Sequence, residues 1–253
     1  MLKVHNLTRA YGGLKAVDDL SFTVNDKEIV GLIGPNGAGK TTAFNLITGF
    51  TDSDSGRVVF KGEEINGLKP YQIIQKRIGR TFQGTRIYKK LNVWQNMFIA
   101  RHSRVKASSW SAIFGSGRIR KEAEETEQLM RTLLNKVGLA DVDLYATASD
   151  LPFASQSLLG MAMALSSDPL MIFLDEPLSG MTSAEVAEVG KLIRRFRDEE
   201  GITILLIEHN MKAVMELCDR VVVMDYGRSI AQGVPEEIQK NRAVIEAYLG
   251  AEM

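Results

Sequence analysis

The eight residues Gly34-Pro35-Asn36-Gly37-Ala38-Gly39-Lys40-Thr41 constrain this chain more than any other stretch. They fit the pattern G-x-x-x-x-G-K-[ST]. Their glycines let the backbone wrap closely, so that several N–H groups can point at one anion. The flanks suit such a loop. An apolar run, Ile29 to Ile33, enters it as a predicted strand, and Thr42 to Thr48 leaves it as a predicted helix. The positive N-terminus of that helix faces the same anion. Lys40 adds a point charge, and Thr41 offers a hydroxyl suited to Mg²⁺. Gly34 to Thr42 is therefore the candidate triphosphate-binding segment.

Such a loop indicates only a nucleotide. A second segment indicates what is done with it. Leu170 to Leu174 reads as an apolar strand that closes on two adjacent carboxylates, Asp175 and Glu176. Asp175 is placed to hold Mg²⁺ through water, and Glu176 to take a proton from an attacking water. Gln83, after Gly79-Arg80-Thr81-Phe82, is a candidate for touching both metal and water. His209, in Ile207-Glu208-His209-Asn210, follows the next apolar strand and faces the crevice where open α/β sheets bind ligands. His5 and His102 have no such setting.

Strands are also expected over Leu2 to Leu7, Leu20 to Val24, Val58 to Phe60, Ile202 to Ile207 and Val221 to Met224, with helices over Ser183 to Glu200 and Met211 to Leu217. Strands alternating with helices imply a mostly parallel sheet. Between about Thr85 and Asp150 the patterning is helical. Ile119, Ala123, Leu129, Leu133, Leu134 and Val137 form an apolar face opposite a charged one, and Ser108 to Gly117 reads as a loop or short helix. The expectation is an α/β core interrupted by a helical insert, with a small strand-rich N-terminal part.

Lys plus Arg and Asp plus Glu both number 31 among the 253 residues, a balance that argues against nucleic acid as partner. The single cysteine, Cys218, cannot close an internal disulfide, which suits a reducing compartment; it is expected as a small buried hydrophobe on a helix. No secretory signal and no run of roughly 20 apolar residues is present, so attachment to a membrane would need a partner.

With these residues assembled, the chain resembles the ATP-binding subunits of ABC transporters over essentially its whole length. Tyr11-Gly12-Gly13-Leu14-Lys15-Ala16-Val17, Gly79 to Gln83 and the ending Tyr248-Leu249-Gly250 resemble the branched-chain amino-acid importer ATPases. The resemblance implies a P-loop NTPase core over about 1–84 and 168–253, including an antiparallel N-terminal β subdomain, and a helical subdomain insert over about 85–167. It implies that Tyr11 stacks on adenine, that Gln83 helps hold the metal, and that Asp175, Glu176 and His209 complete an ATP- and Mg²⁺-dependent hydrolytic site. It further implies a peripheral place on the cytoplasmic face of the membrane. The implied partners are a second ABC ATPase, transmembrane permease subunits and, indirectly, a substrate-binding protein.

One motif departs from the family. ABC ATPases pair head to tail, and each lends its neighbour a signature loop, usually Leu-Ser-Gly-Gly-Gln. Here that place holds Leu151-Pro152-Phe153-Ala154-Ser155. Pro152 has neither hydroxyl nor N–H where the family has serine. Ala154 replaces the second glycine and Ser155 the glutamine, and a one-residue shift aligns Gln156 but restores neither serine nor glycine. The loop Ser179 to Ser183 also has Thr182 where Asp or Asn is usual. A heterodimer with a sister ATPase of intact signature is expected; the alternative is that Ser155 and the helix N-terminus grip phosphate instead. Other readings of the same fold are a urea or short-amide importer ATPase, suggested by Gly180-Met181-Thr182, a non-transport ABC ATPase, and an ATP-binding regulator, against which Glu176 weighs.

Overall fold

A computed structural model describes residues 1–81, 87–101 and 116–250, apart from the side chains of 116–123 and 250. Gln83, His102 and most of the Ser108–Gly117 stretch lie outside the described residues.

The first sheet is antiparallel. It contains β1 (Leu2–Tyr11), β2 (Leu14–Val24), β4 (Ser55–Phe60) and the short β5 (Glu63–Glu64), in the order β2-β1-β4-β5. Both strands of the first hairpin run longer than their apolar runs predict. Register shifts along β1 and β2 break the alternation that marks a strand in sequence.

The second sheet has β3 (Ile29–Ile33), β6 (Ile78–Arg80), β7 (Met171–Asp175), β8 (Thr203–Ile207), β9 (Arg220–Asp225) and β10 (Arg228–Gly233). Their order is β10-β9-β3-β8-β7-β6. All pairings are parallel except β10 with β9. Every residue of β3, β7 and β8 is buried. Alternate side chains enter two different apolar clusters. Ile172, Leu174, Ile204, Leu206, Val221 and Val223 face the helices. Met171, Phe173, Leu205, Ile207, Val222 and Met224 face the antiparallel sheet and the helix after the glycine loop. A strand covered on both faces has no polar alternation, so these strands appear in the sequence as unbroken apolar runs.

That helix, α1 (Lys40–Ile47), packs on the sheet through Phe44, whose ring meets Phe173 edge to face at 5.1 Å. α2 (Pro70–Gln75) leads into β6. The helical stretch holds α3 (Val93–Arg101), α4 (Ser116–Lys136) and α5 (Phe153–Leu165). Leu133 and Leu134 of α4, and Val137 just after it, are buried in the same cluster as the sheet's helix-facing side chains, and Leu129 packs partly against it. α6 (Ser183–Asp198) starts at a capping box in which Thr182 and Glu185 bond each other's backbone, and buries Val189, Leu192, Ile193 and Phe196. α7 (Met211–Leu217), α8 (Pro235–Lys240) and α9 (Arg242–Gly250) complete the chain. Cys218 follows α7 directly and is buried; an added Cβ at Gly31 would meet its Sγ at 3.0 Å. No helix among the described residues is long and apolar enough to cross a membrane.

Candidate functional site

The site is built at the C-terminal ends of β3, β7 and β8, which bond side by side. Chain direction alone therefore brings the residues after Ile33, Leu174 and Ile207 to one edge.

The glycine loop after β3 is held by its own backbone. A Cβ on Gly34 would lie 2.1 Å from the Met224 carbonyl oxygen, and one on Gly39 would lie 2.1 Å from that of Ala16. Both glycines have positive φ, 151° and 98°. Gly37, at φ 83°, has open space where a Cβ would go. Lys40 is buried, and its ammonium donates to the carbonyls of Gly34 at 2.7 Å and Pro35 at 2.8 Å. Burial lowers its pKa, and the negative charge of Glu176 opposes that shift. The helix begins at Lys40, two residues before the sequence expectation, because Gly39 in the left-handed region serves as its N-cap.

At the end of β7, Glu176 takes a φ of 52°, which costs a non-glycine residue about 1 kcal/mol or more. Its N–H donates to Ile207 O at 2.9 Å. Its Oε1 lies 2.7 Å from His209 Nε2. The Asp175 carboxylate is buried behind it, paired through Oδ2 with Arg80 Nη2 at 3.3 Å. Arg80 also donates from Nη1 to Thr48 Oγ1 at 2.5 Å and lies over the rings of Phe44 and Phe50. Thr81 accepts the Asp175 N–H through its hydroxyl.

A cleft of about 300 Å³ opens between these elements. Asn36 to Thr42, Glu176 and His209 line it. Gly34, Pro35 and Asp175 are not among the lining residues; the carbonyls of the first two receive the Lys40 ammonium, and Asp175 is buried. Tyr11 is not among the lining residues; it is half-exposed at the end of β1, with the Arg9 guanidinium 5.0 Å from its ring centre. Leu14, Lys15 and Ala16, which belong to the motif Tyr11 to Val17 but carry no expected site role, also line the cleft, as does Tyr226, which was not singled out from sequence. For Tyr226 the signal was available: it is the aromatic of a two-residue turn, Tyr226-Gly227, between β9 and β10. Arg80 stood inside a quoted motif, but nothing in the motif marked it as buried against Asp175.

The divergent stretch Leu151 to Ser155 runs into α5. Pro152 is the N-cap of α5 and makes no side-chain cap bond. Ser155 falls within the first helical turn, past the capping position. Gln156 is turned back, its amide donating to Leu151 O at 2.8 Å. The Phe153 ring lies against Gly180, where a Cβ would approach Cε1 to 2.9 Å.

Residues 17–179 match the ABC transporter family model. The chain belongs to the ABC transporter ATPases. Residues 228–253 of this ABC ATPase also match the branched-chain amino acid ATP-binding cassette transporter family model. It is 37% identical over 250 residues to the high-affinity branched-chain amino acid transport ATP-binding protein BraF of Pseudomonas aeruginosa, covering 99% of this chain and 98% of that one. It is 38% identical, with the same coverage, to the corresponding protein LivG of Salmonella typhimurium. Its fold matches the ADP conformation of an ABC transporter ATP-binding cassette with a TM-score of 0.84 at 31% identity, covering 99% of this chain and 98% of that one. As in those cassettes, a mostly parallel sheet, an antiparallel sheet and helices make up the ABC ATPase fold.

Proposed function

We propose that this ABC ATPase energises an importer of branched-chain or other hydrophobic amino acids, and that it works beside a second ATPase and permease subunits at the cytoplasmic face of the membrane. Near-full-length identity to transport proteins of that cargo supports the reading, as does the C-terminal match.

The contact that carries the hydrolytic part is His209 Nε2 to Glu176 Oε1 at 2.7 Å, at the edge of a phosphate-sized cleft. The loop fits ATP: two of its glycines admit no Cβ, and the buried Lys40 ammonium rests on loop carbonyls that a phosphate oxygen can replace. The N–H groups from Gly37 to Thr42 bind and orient the phosphates. The oxygen donors of Thr41 and Asp175 suit Mg²⁺, which they would hold; the resemblance adds Gln83, outside the described residues, and the ion would neutralise phosphate charge when bound. Glu176 accepts the proton of the attacking water, and His209 fixes the carboxylate and the water. The family resemblance assigns adenine stacking to Tyr11; Tyr226, which lines the cleft, offers a second aromatic surface for the base.

The lending half is weaker than the holding half. Pro152 offers no hydroxyl or N–H, and Gln156 is engaged within its own chain. An asymmetric heterodimer follows, in which this chain's Lys40, Asp175 and Glu176 face an intact signature on the sister. Hydrolysis is measured for this chain alone and mixed with the sister ATPase. The mixture should be at least tenfold faster; equal rates would reject the asymmetry.

A further inference from the structure

Glu208 is a buried acid, 3% exposed, that does not line the cleft. Its two oxygens reach two different loops. Oε1 accepts the Leu178 N–H at 2.7 Å, and Oε2 accepts the His209 N–H at 3.1 Å. The Asn210 backbone N–H also faces the carboxylate. Among the described residues no cation pairs with it. Burial raises its pKa, and the three amides oppose the shift.

We propose that Glu208 is a positioning residue that clamps the loop carrying His209 to the loop following Glu176. The proposal rests on the reading of Glu176 and His209 as the hydrolytic pair. Two ties join the stretch from Glu176 to Leu178 to the end of the neighbouring strand and the residue after it. On the Glu176 N–H is the bond to Ile207 O at 2.9 Å, and two residues later is the bond from Leu178 N–H to Glu208. Together they hold Glu176 in its left-handed conformation, with its carboxylate aimed at His209. An apolar residue at 208 would fill the space but leave the Leu178 and His209 amides without partners. Only a side chain with two acceptor oxygens can serve both loops at once, and a buried carboxylate without a cation has no evident use in packing.

The test uses the full-length chain in its transport assembly. Glu208→Gln keeps the shape and loses one acceptor; Glu208→Asp keeps the charge and loses one methylene of reach. Amide hydrogen exchange over 177–183 and 208–210 should quicken at least tenfold in both variants, while strand β3 exchanges as in the parent. Turnover should fall at least tenfold with KM for ATP within threefold. Unchanged exchange at Leu178 and His209 overturns the clamp. Faster exchange with parental turnover overturns the positioning role. Glu176→Gln is run in parallel: if it turns over normally, the hydrolytic reading fails, and the exchange data still decide the clamp. Should the Gln variant not fold, the Asp variant carries the same comparison.

Discussion

Arg80 and Asp175 form a buried ion pair, Nη2 to Oδ2 at 3.3 Å, with side-chain exposures of 8% and 1%. The pair ties the edge strand β6 to the acid at the end of β7. Through Thr48, Phe44 and Phe50 it also ties both to the helix that starts at Lys40. The phosphate loop and the acidic strand end are thus braced by one guanidinium.

Removing one member of a buried pair leaves the other uncompensated, at about 3–5 kcal/mol. Arg80→Ala should lower Tm by about 6 °C or more in a domain of this size. Arg80→Lys should recover only part of the loss, since an ammonium lacks the planar fork that serves Thr48 and Asp175 and stacks poorly on the two phenylalanines. Thermal unfolding of the purified variants decides it. A Tm for the alanine variant within 1 °C of the parent would show that the pair adds nothing net.

Glu176→Gln should separate binding from chemistry. The amide keeps the size of the side chain and a hydrogen bond to His209 but cannot take a proton. Turnover should fall by roughly 10²–10⁴-fold, the contribution of a general base. Binding of ATP, followed by titration calorimetry, should stay within a few fold. Unchanged turnover would remove Glu176 from the role assigned to it.

The strands most legible in the sequence were those buried on both faces. β3, β7, β8 and β9 are apolar runs because alternate side chains feed two separate cores. α6 was legible through its spacing, and its boundary is set by the Thr182–Glu185 box. The strands β6 and β10 were not. Ile78-Gly79-Arg80 is three residues long and carries a charge, and Arg228 to Gly233 is a half-exposed edge strand without an apolar run. The glycine loop, Asp175, Glu176 and His209 were legible because each ends a recognisable strand. Arg80 and Glu208 were not, because their importance comes from packing across elements far apart in the chain.

The three glycines of the phosphate loop should respond differently to alanine. At Gly39 a Cβ would lie 2.1 Å from the Ala16 carbonyl oxygen in a backbone at φ 98°. Gly39→Ala must therefore shift backbone, at a cost of more than about 2 kcal/mol, and deform the cradle. Gly34→Ala meets the Met224 carbonyl in the same way. At Gly37 the space is open, so Gly37→Ala bears only the left-handed strain of about 1–2 kcal/mol. Denaturant unfolding should rank Gly37→Ala as the mildest of the three. A Gly39→Ala protein as stable as Gly37→Ala would contradict the close approach to Ala16.

Lys40 should show a trade of stability against function. Its ammonium is buried, and desolvation lowers its pKa, so the charge is held at some cost until an anion arrives. Lys40→Met replaces it with an apolar side chain of similar length. The nucleotide-free variant should melt no lower than the parent. Ligand at 100 times Kd should stabilise the parent by about 2.7 kcal/mol, and this increment should vanish in the variant. The pair of melting curves, with and without ATP, separates the two effects. A variant that loses several degrees without nucleotide would mean that the bonds to Gly34 O and Pro35 O hold the empty loop together, and that Lys40 is part of the scaffold as well as of the binding site.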